Sequence, residues 1–215
     1  MKFGVFYEHQ LPRPWDDGAE LTLFQDALDQ VELADRLGID YAWEVEHHFL
    51  EEYSHSSAPE VFLAAASQRT RRIRLGHGIV LMPPKYNHPA RVAERIATLD
   101  LVSNGRAEWG TGESATALET EGFGIPPEEK SAMWREATEQ AANMLAMRPY
   151  PGFRGTYFDM PCRNLLKYSQ QVENGGAYLC IRIVALDLTS LKNGLLHRRF
   201  LIKHLGCRFE FFIFQ

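Results

Sequence analysis

Apolar positions over the first three quarters of the chain alternate between short unbroken runs and helical stripes. The runs Lys2–Tyr7, Ile39–Glu44, Ile73–Leu81 and Arg106–Gly110 are short, rich in β-branched and aromatic residues, and bounded by turn residues, so they read as strands. Between them, Glu20–Leu37 places Leu21, Phe24, Leu28, Val31 and Leu37 on one helical face, with Gly38 as C-cap. Pro59–Gln68 reads as a short helix with Pro59 in its first turn. His88–Val102 carries Val92, Ile96 and Leu99 and ends at Asn104-Gly105, and Glu128–Met147 turns Met133, Trp134, Ala137, Ala141, Met144 and Leu145 inward. Four β/α units in succession predict parallel strands joined by right-handed crossovers.

Two architectures satisfy this pattern, a TIM barrel and a doubly wound sheet. No Gly-x-Gly-x-x-Gly turn follows the first strand, which disfavours a dinucleotide-binding sheet and leaves the barrel. A full barrel of eight units takes ~250 residues, whereas this chain has 215 and its fourth unit ends only at Met147. The remainder offers a strand at Tyr178–Val184 and a very apolar stretch at Phe209–Phe214, room for at most two more units. The expected fold is therefore α/β, a TIM (β/α)8 barrel-like chain represented by its N-terminal half, with four to six units. Half a barrel has two open sheet edges, so a homo-oligomer, a dimer, is the expected assembly.

Composition narrows the setting. Hydrophobic residues at 45% and charged residues at 24% are those of an ordinary globular protein. No apolar run approaches the ~20 residues of a membrane helix. The N-terminus turns polar at Glu8-His9-Gln10, unlike a signal peptide. Cys162, Cys180 and Cys207 are odd in number and widely spaced, which argues against a disulfide framework and fits a cytoplasmic location. The net charge of −5 is unevenly distributed. Residues 1–164 hold 16 basic and 25 acidic side chains, and residues 165–215 hold 7 and 3. The acidic part argues against nucleic acid as the natural partner, and the basic residues of the tail, which would otherwise read as a nucleic-acid or membrane patch, are scattered among apolar ones.

Candidate chemistry gathers at the strand ends. Glu46-His47-His48-Phe49 follows the second strand, where residues of a β/α barrel form the active-site rim, and imidazole moves protons near neutral pH. Glu46 either orients this rim or pairs with nearby arginines. His47, His48 and His77 do not suggest a metal site, because adjacent histidines on an extended segment face opposite ways. Gly78 either admits a planar ring close to the backbone or marks a strand bulge. Gly110-Thr111-Gly112-Glu113-Ser114 either presents backbone N–H groups to a ligand or forms a simple turn. Arg106 and Asp100 read as ties between the third helix and the fourth strand. Tyr7, Trp43, Trp109 and Phe123 read as core or as the lining of an apolar pocket.

Four segments, taken in order and spacing, resemble the bacterial luciferase-like flavin monooxygenases. They are Met1–Phe6; Glu46-His47-His48-Phe49; Ile73-Arg74-Leu75-Gly76 with Val80-Leu81-Met82-Pro83 and His88-Pro89-Ala90-Arg91; and Ala93-Glu94 with Leu99-Asp100, Ser103-Asn104-Gly105-Arg106 and Gly110-Thr111-Gly112. Within that family, Glu108–Ser114 and Met160–Asn164 look more like uncharacterised oxidoreductases than light emitters. The resemblance implies a TIM barrel that binds reduced FMN, or in some branches F420, at its C-terminal mouth. It also implies use of O2 on a small organic substrate, with reduced flavin supplied by a reductase. His47 matches the family's acid/base histidine beside the flavin, and Glu46 stands next to it as the second catalytic candidate. Gly78 and Ile79 match by position a pair beneath the flavin ring, joined in the family by an unusual peptide bond. Gly110, Gly112 and Glu113 fall near the cofactor; a carboxylate repels phosphate, so Glu113 is expected to face the ring or the substrate. The resemblance covers residues 1–164. Residues 165–215 do not match and read as a replaced end, frameshifted or truncated. Two other readings follow: a non-catalytic fragment of a barrel, or an F420-dependent hydride-transfer reductase.

Overall fold

The computed structural model describes residues 1–165 and 183–185. Its elements are β1 (Gly4–Tyr7), α1 (Ala19–Leu37), β2 (Tyr41–Glu44), α2 (Pro59–Arg69), β3 (Arg74–Leu81), α3 (Pro89–Val102), β4 (Ala107–Gly112), α4 (Ala117–Gly122), α5 (Lys130–Ala146), β5 (Phe153–Arg154), β6 (Asp159–Met160) and β7 (Ile183–Ala185). One sheet runs β1-β2-β3-β4-β7 with every pair parallel, and β5 and β6 form a separate antiparallel pair. Strand order follows chain order, without the reversal that defines a doubly wound sheet. The fold is α/β and corresponds to the N-terminal part of a (β/α)8 barrel. Of the strand expected at Tyr178–Val184, its last two residues belong to β7; the rest, Phe209–Phe214 and nearly all of the 165–215 tail lie outside the described residues.

The helices bury the stripes that the pattern predicts, with one difference at the ends of α1. Ala27, Leu28, Val31, Ala34 and Asp35 are its buried residues. Leu21 and Leu37, in its terminal turns, are 67% and 73% exposed. Gly38 caps this helix at φ +84°, a left-handed conformation that glycine adopts without strain. Two elements were not expected: the six-residue α4 and the β5–β6 hairpin.

The sheet separates two environments. One face packs under the helices: Ala42, Leu75 and Ala107 join Leu28, Val31 and Leu63 in one cluster, while Val80, Met82 and Trp109 join Val92, Ile96 and Trp134 in another. The opposite face is built from glycines and aromatics. Gly4 lies against Tyr41 and Trp43, Gly76 lies under the Trp43 ring, and Gly78 lies beside Phe6. A Cβ at Gly76 would overlap that ring. Trp43 is itself buried and stacked on Tyr41 at 5.7 Å, so it has little room to retreat. Gly76→Ala is therefore expected to cost about 1–3 kcal/mol through overpacking, read as a lowered urea midpoint; an unchanged midpoint would show that the ring moves freely.

At the N-terminal ends of the strands, buried polar groups tie the layers together. Asp100 accepts from the Ala107 N–H at 3.3 Å, and Arg106 donates to Ser103 O at 2.7 Å. Arg106 also reaches Ser67 O, Ile73 O and the Thr70 hydroxyl, each at 2.8 Å. It thus joins α2 as well as α3 to the sheet, more than the sequence suggested. Among the described residues, no helix is long and apolar enough to cross a membrane.

Candidate active site

The segment after β2 is pinned by three backbone bonds. Val45 N donates to Tyr7 O at 3.3 Å, Glu46 N to Ile79 O at 3.0 Å, and His47 N to Ser56 O at 2.8 Å. The second of these sets the segment directly on the β3 irregularity, where the register with β4 breaks between His77 and Val80. Gly78 and Ile79 thus form a bulge, and the cis peptides among the described residues lie elsewhere, at Arg13–Pro14 and Arg148–Pro149.

Glu46 is buried and fully engaged. Its carboxylate accepts from Leu81 N at 2.7 Å and from Asn87 Nδ2 at 2.8 and 3.1 Å, and it meets His48 Nε2 at 3.2 Å. Asn87 in turn accepts from Arg95 at 2.9 Å, and Arg95 pairs with Glu60 at 2.6 Å. The arginine expected next to Glu46 thus reaches it through an intervening amide.

His47 is held differently, between two acids. Its Nδ1 lies 2.9 Å from Glu119 Oε1 and its Nε2 lies 3.6 Å from Glu8 Oε2. Glu119 is completely buried and also accepts from Ser114 Oγ at 2.5 Å, the His48 N–H at 2.9 Å and Thr116 Oγ1 at 2.8 Å. Burial alone would raise its pKa, but these donors outweigh it and bring the carboxyl down to about 2. Burial likewise opposes charge on His47, and the hydrogen bond and charge of Glu119, with Glu8 and Glu46 beyond, outweigh it and raise the imidazole above its ordinary value. Glu8 is raised, mainly by burial, against the pull of His47 and a bond from Tyr53. An ionised Glu119 only accepts, so the proton sits on Nδ1 and Nε2 is the end free to exchange one.

Neither Glu119 nor Glu8 was expected from the sequence. A signal for Glu119 was present: Thr116-Ala117-Leu118-Glu119 is a Thr-x-x-Glu capping pattern, and Thr116 does cap α4. The α4 turn delivers Glu119 to His47 across 72 residues of chain.

The remaining residues fall on two sides of this centre. His48, Phe49, Tyr86 and Phe123 form an aromatic wall, with Phe123 4.8 Å from Tyr86 and 5.0 Å from His48. A Cβ at Gly112 would strike the Ile79 side chain, and one at Gly110 would strike His77 O, with Ile79 Cγ2 at 3.4 Å. The two glycines therefore make room for the bulge, and Ile79 fills the space over them. Gly110 and Gly112 are buried beneath Ile79 and Gly78 lies against Phe6, so the bulge sets the Ile79 side chain beside the His47 segment. Glu113 is buried and 3.8 Å from Lys130 Nζ, which also donates to Ser114 O at 2.8 Å. His77 is buried on the helix side, within the fields of Glu60 and Arg95, and burial lowers its pKa; it does not join His47 and His48. Trp109 is core, Trp43 is buried on the glycine face, and Phe123 belongs to the rim.

Comparison with known proteins supplies the family context. Residues 1–183 match the model of the luciferase-like monooxygenases. Limonene 1,2-monooxygenase of Rhodococcus erythropolis is 40% identical over 147 residues, 67% of this chain and 36% of that protein. The oxygenase component of the flavin-dependent trigonelline monooxygenase of Acinetobacter baylyi is 32% identical over 123 residues, 56% of this chain and 32% of that protein. Among solved structures, the monooxygenase RslO1 from Streptomyces bottropensis superposes with a TM-score of 0.75 at 33% identity, covering 86% of this chain and 53% of that one. The chain thus spans about a third of the curated relatives named here and about half of the solved structure.

Proposed function

The chain belongs to the luciferase-like monooxygenase family, and we propose that it carries the proton-handling half of a flavin-dependent monooxygenase acting on a small organic substrate with O2. One observation carries this reading: His47 is clamped between Glu119 and Glu8 at the strand-end rim, directly beside the bulge of β3. A protonated imidazole with its Nδ1 fixed can deliver or recover a proton at Nε2. Glu46 serves as a positioning residue, since its oxygens are committed to Leu81, Asn87 and His48.

The proposed seat of a flat ring system is the bulge at Gly78 and Ile79, with Gly110 and Gly112 buried beneath the Ile79 side chain that would meet the ring. Glu113, with Lys130 at its side, would border the same ring or the substrate. The cofactor is a flavin or deazaflavin, with reduced FMN the better expectation. When bound, it supplies the reaction with O2, and the protein supplies orientation, exclusion of water and the proton. A flavin reductase is the expected partner, and a homodimer in the cytoplasm the expected assembly. Residues 1–164 carry the motifs of the family unit, but the family match runs on to residue 183 and β7 (Ile183–Ala185) joins the same sheet, so the unit extends past 164.

The test is anaerobic titration of the full chain with reduced FMN, followed by flavin fluorescence and sedimentation. A defined dimer binding in the micromolar range is expected, with affinity about tenfold weaker in His47→Ala, the worth of one charge-assisted hydrogen bond. Preference for F420 would replace oxygenation by hydride transfer. Absence of binding to either cofactor would overturn the reading in favour of a non-catalytic fragment.

A further inference from the structure

Behind the rim, on the helix side of the sheet, a cavity of about 240 Å³ lies between α1 and α2. It is separate from the His47 centre and plays no part in the function proposed above. Phe24, Leu28 and Phe62 are among its apolar walls, and Glu44, His55 and Ser56 bring its polar groups. Two polar atoms here, although buried, have no hydrogen-bond partner: Glu44 Oε2 and His55 Nε2. Glu44 is 1% exposed, and the side chain of His55 is 10% exposed. Leaving such atoms unpaired is unfavourable, so a ligand that pairs them recovers free energy.

The bonds on the far side of each group fix what these atoms can do. Glu44 Oε1 already meets His9 Nε2 at 3.0 Å and the Ser56 hydroxyl at 2.7 Å, which leaves Oε2 as the free acceptor of the ionised carboxylate. His55 Nδ1 lies 2.7 Å from Glu20 Oε1. A carboxylate accepts, so Nδ1 carries the hydrogen, and in the Nδ1–H tautomer Nε2 presents a lone pair. The cavity thus offers two acceptors and no matching donor within hydrocarbon walls. We propose that it is a binding site for a small primary ammonium compound with an aliphatic tail, whose head donates to Glu44 Oε2 and His55 Nε2. A hard metal ion is a poor match, because it needs about six oxygen ligands, and the described residues hold no group of three or more metal-binding side chains.

Burial raises the Glu44 carboxyl to about 7, against the lowering effects of His9 and Ser56 and with a further rise from Glu60. The charged or titratable groups around it are His9 and Tyr7 at the end of β1, His55 in the loop and Glu60 on α2. A cation binds the ionised carboxylate, so affinity should rise as pH rises through the Glu44 range.

Isothermal titration of the full chain with n-hexylammonium tests this, with 1-hexanol as the neutral isostere. Saturable binding is expected, at least about tenfold tighter for the ammonium than for the alcohol, and stronger at about pH 8 than at about pH 6. Glu44→Gln should weaken it by about tenfold or more. Ala65→Trp, at an exposed position on the cavity's border, should close the entrance without disturbing the core, with circular dichroism confirming the fold. Equal affinity for ammonium and alcohol, binding unchanged in folded Ala65→Trp, or no saturable binding would each overturn the proposal.

Discussion

Replacing Glu119 by glutamine is expected to discharge His47 and to remove about 3 kcal/mol of stability at neutral pH. One pKa unit corresponds to about 1.4 kcal/mol, and the Glu119 carboxyl stands at about 2 instead of 4.5. Because its folded pKa is lowered, this contribution is present above about pH 4.5 and is lost as pH falls toward about 2. His47 has the opposite sign. Its raised pKa stabilises fully below its ordinary value of 6.5, and that part is lost as pH rises through the folded value. The pair is therefore strongest between these limits. Glu44 titrates in both proteins, so the difference between the wild-type and Glu119→Gln stability curves isolates the clamp. Urea melts across pH and imidazole NMR of His47 measure the two effects. A variant whose His47 still titrates above the ordinary range would show that Glu8 and Glu46 set the charge without Glu119.

The second large effect is expected at the other end of the strands. Arg106→Lys should lower stability by about 3 kcal/mol or more, with the urea m-value unchanged. The planar guanidinium reaches Ser103 O, Ser67 O, Ile73 O and both the hydroxyl and the carbonyl of Thr70. A lysine has three donors on one atom and cannot span these positions. The acceptors it abandons lie between α2, β3 and β4, where water cannot readily replace it. A loss below about 1 kcal/mol would mean that the helix end relaxes and solvates them.

What could be read from the sequence follows from what hydrophobic periodicity reports. Val92, Ile96 and Leu99 on α3, and Met133, Trp134, Ala137 and Ala141 on α5, are buried as their spacing requires. The α4 turn escaped because its buried residues are Glu119 and Thr120, which leave no apolar stripe. The β5–β6 hairpin escaped because two-residue strands have no period. At the site, the Glu-His-His motif marked His47. Its two acids come from positions far along the chain, and only folding brings them together. Gly110 and Gly112 read as donors of backbone N–H groups to a ligand or as a turn, whereas they lie inside β4 and make room for a side chain. What fills the space is Ile79 from the neighbouring strand, a relation between strands that no single run of residues encodes.

The chain of contacts from Glu60 through Arg95 and Asn87 to Glu46 bears on how such rims could be altered. Glu46 belongs to the loop after β2 and Asn87 to the loop after β3, and Glu46 also caps the Leu81 N–H. Transplanting the loop after β3 alone would strand the buried carboxylate without its amide, and transplanting the loop after β2 alone would leave the amide without its carboxylate. The two loops behave as one exchangeable cassette, with Arg95 as its anchor, and the rim should keep its fold only when both are swapped together.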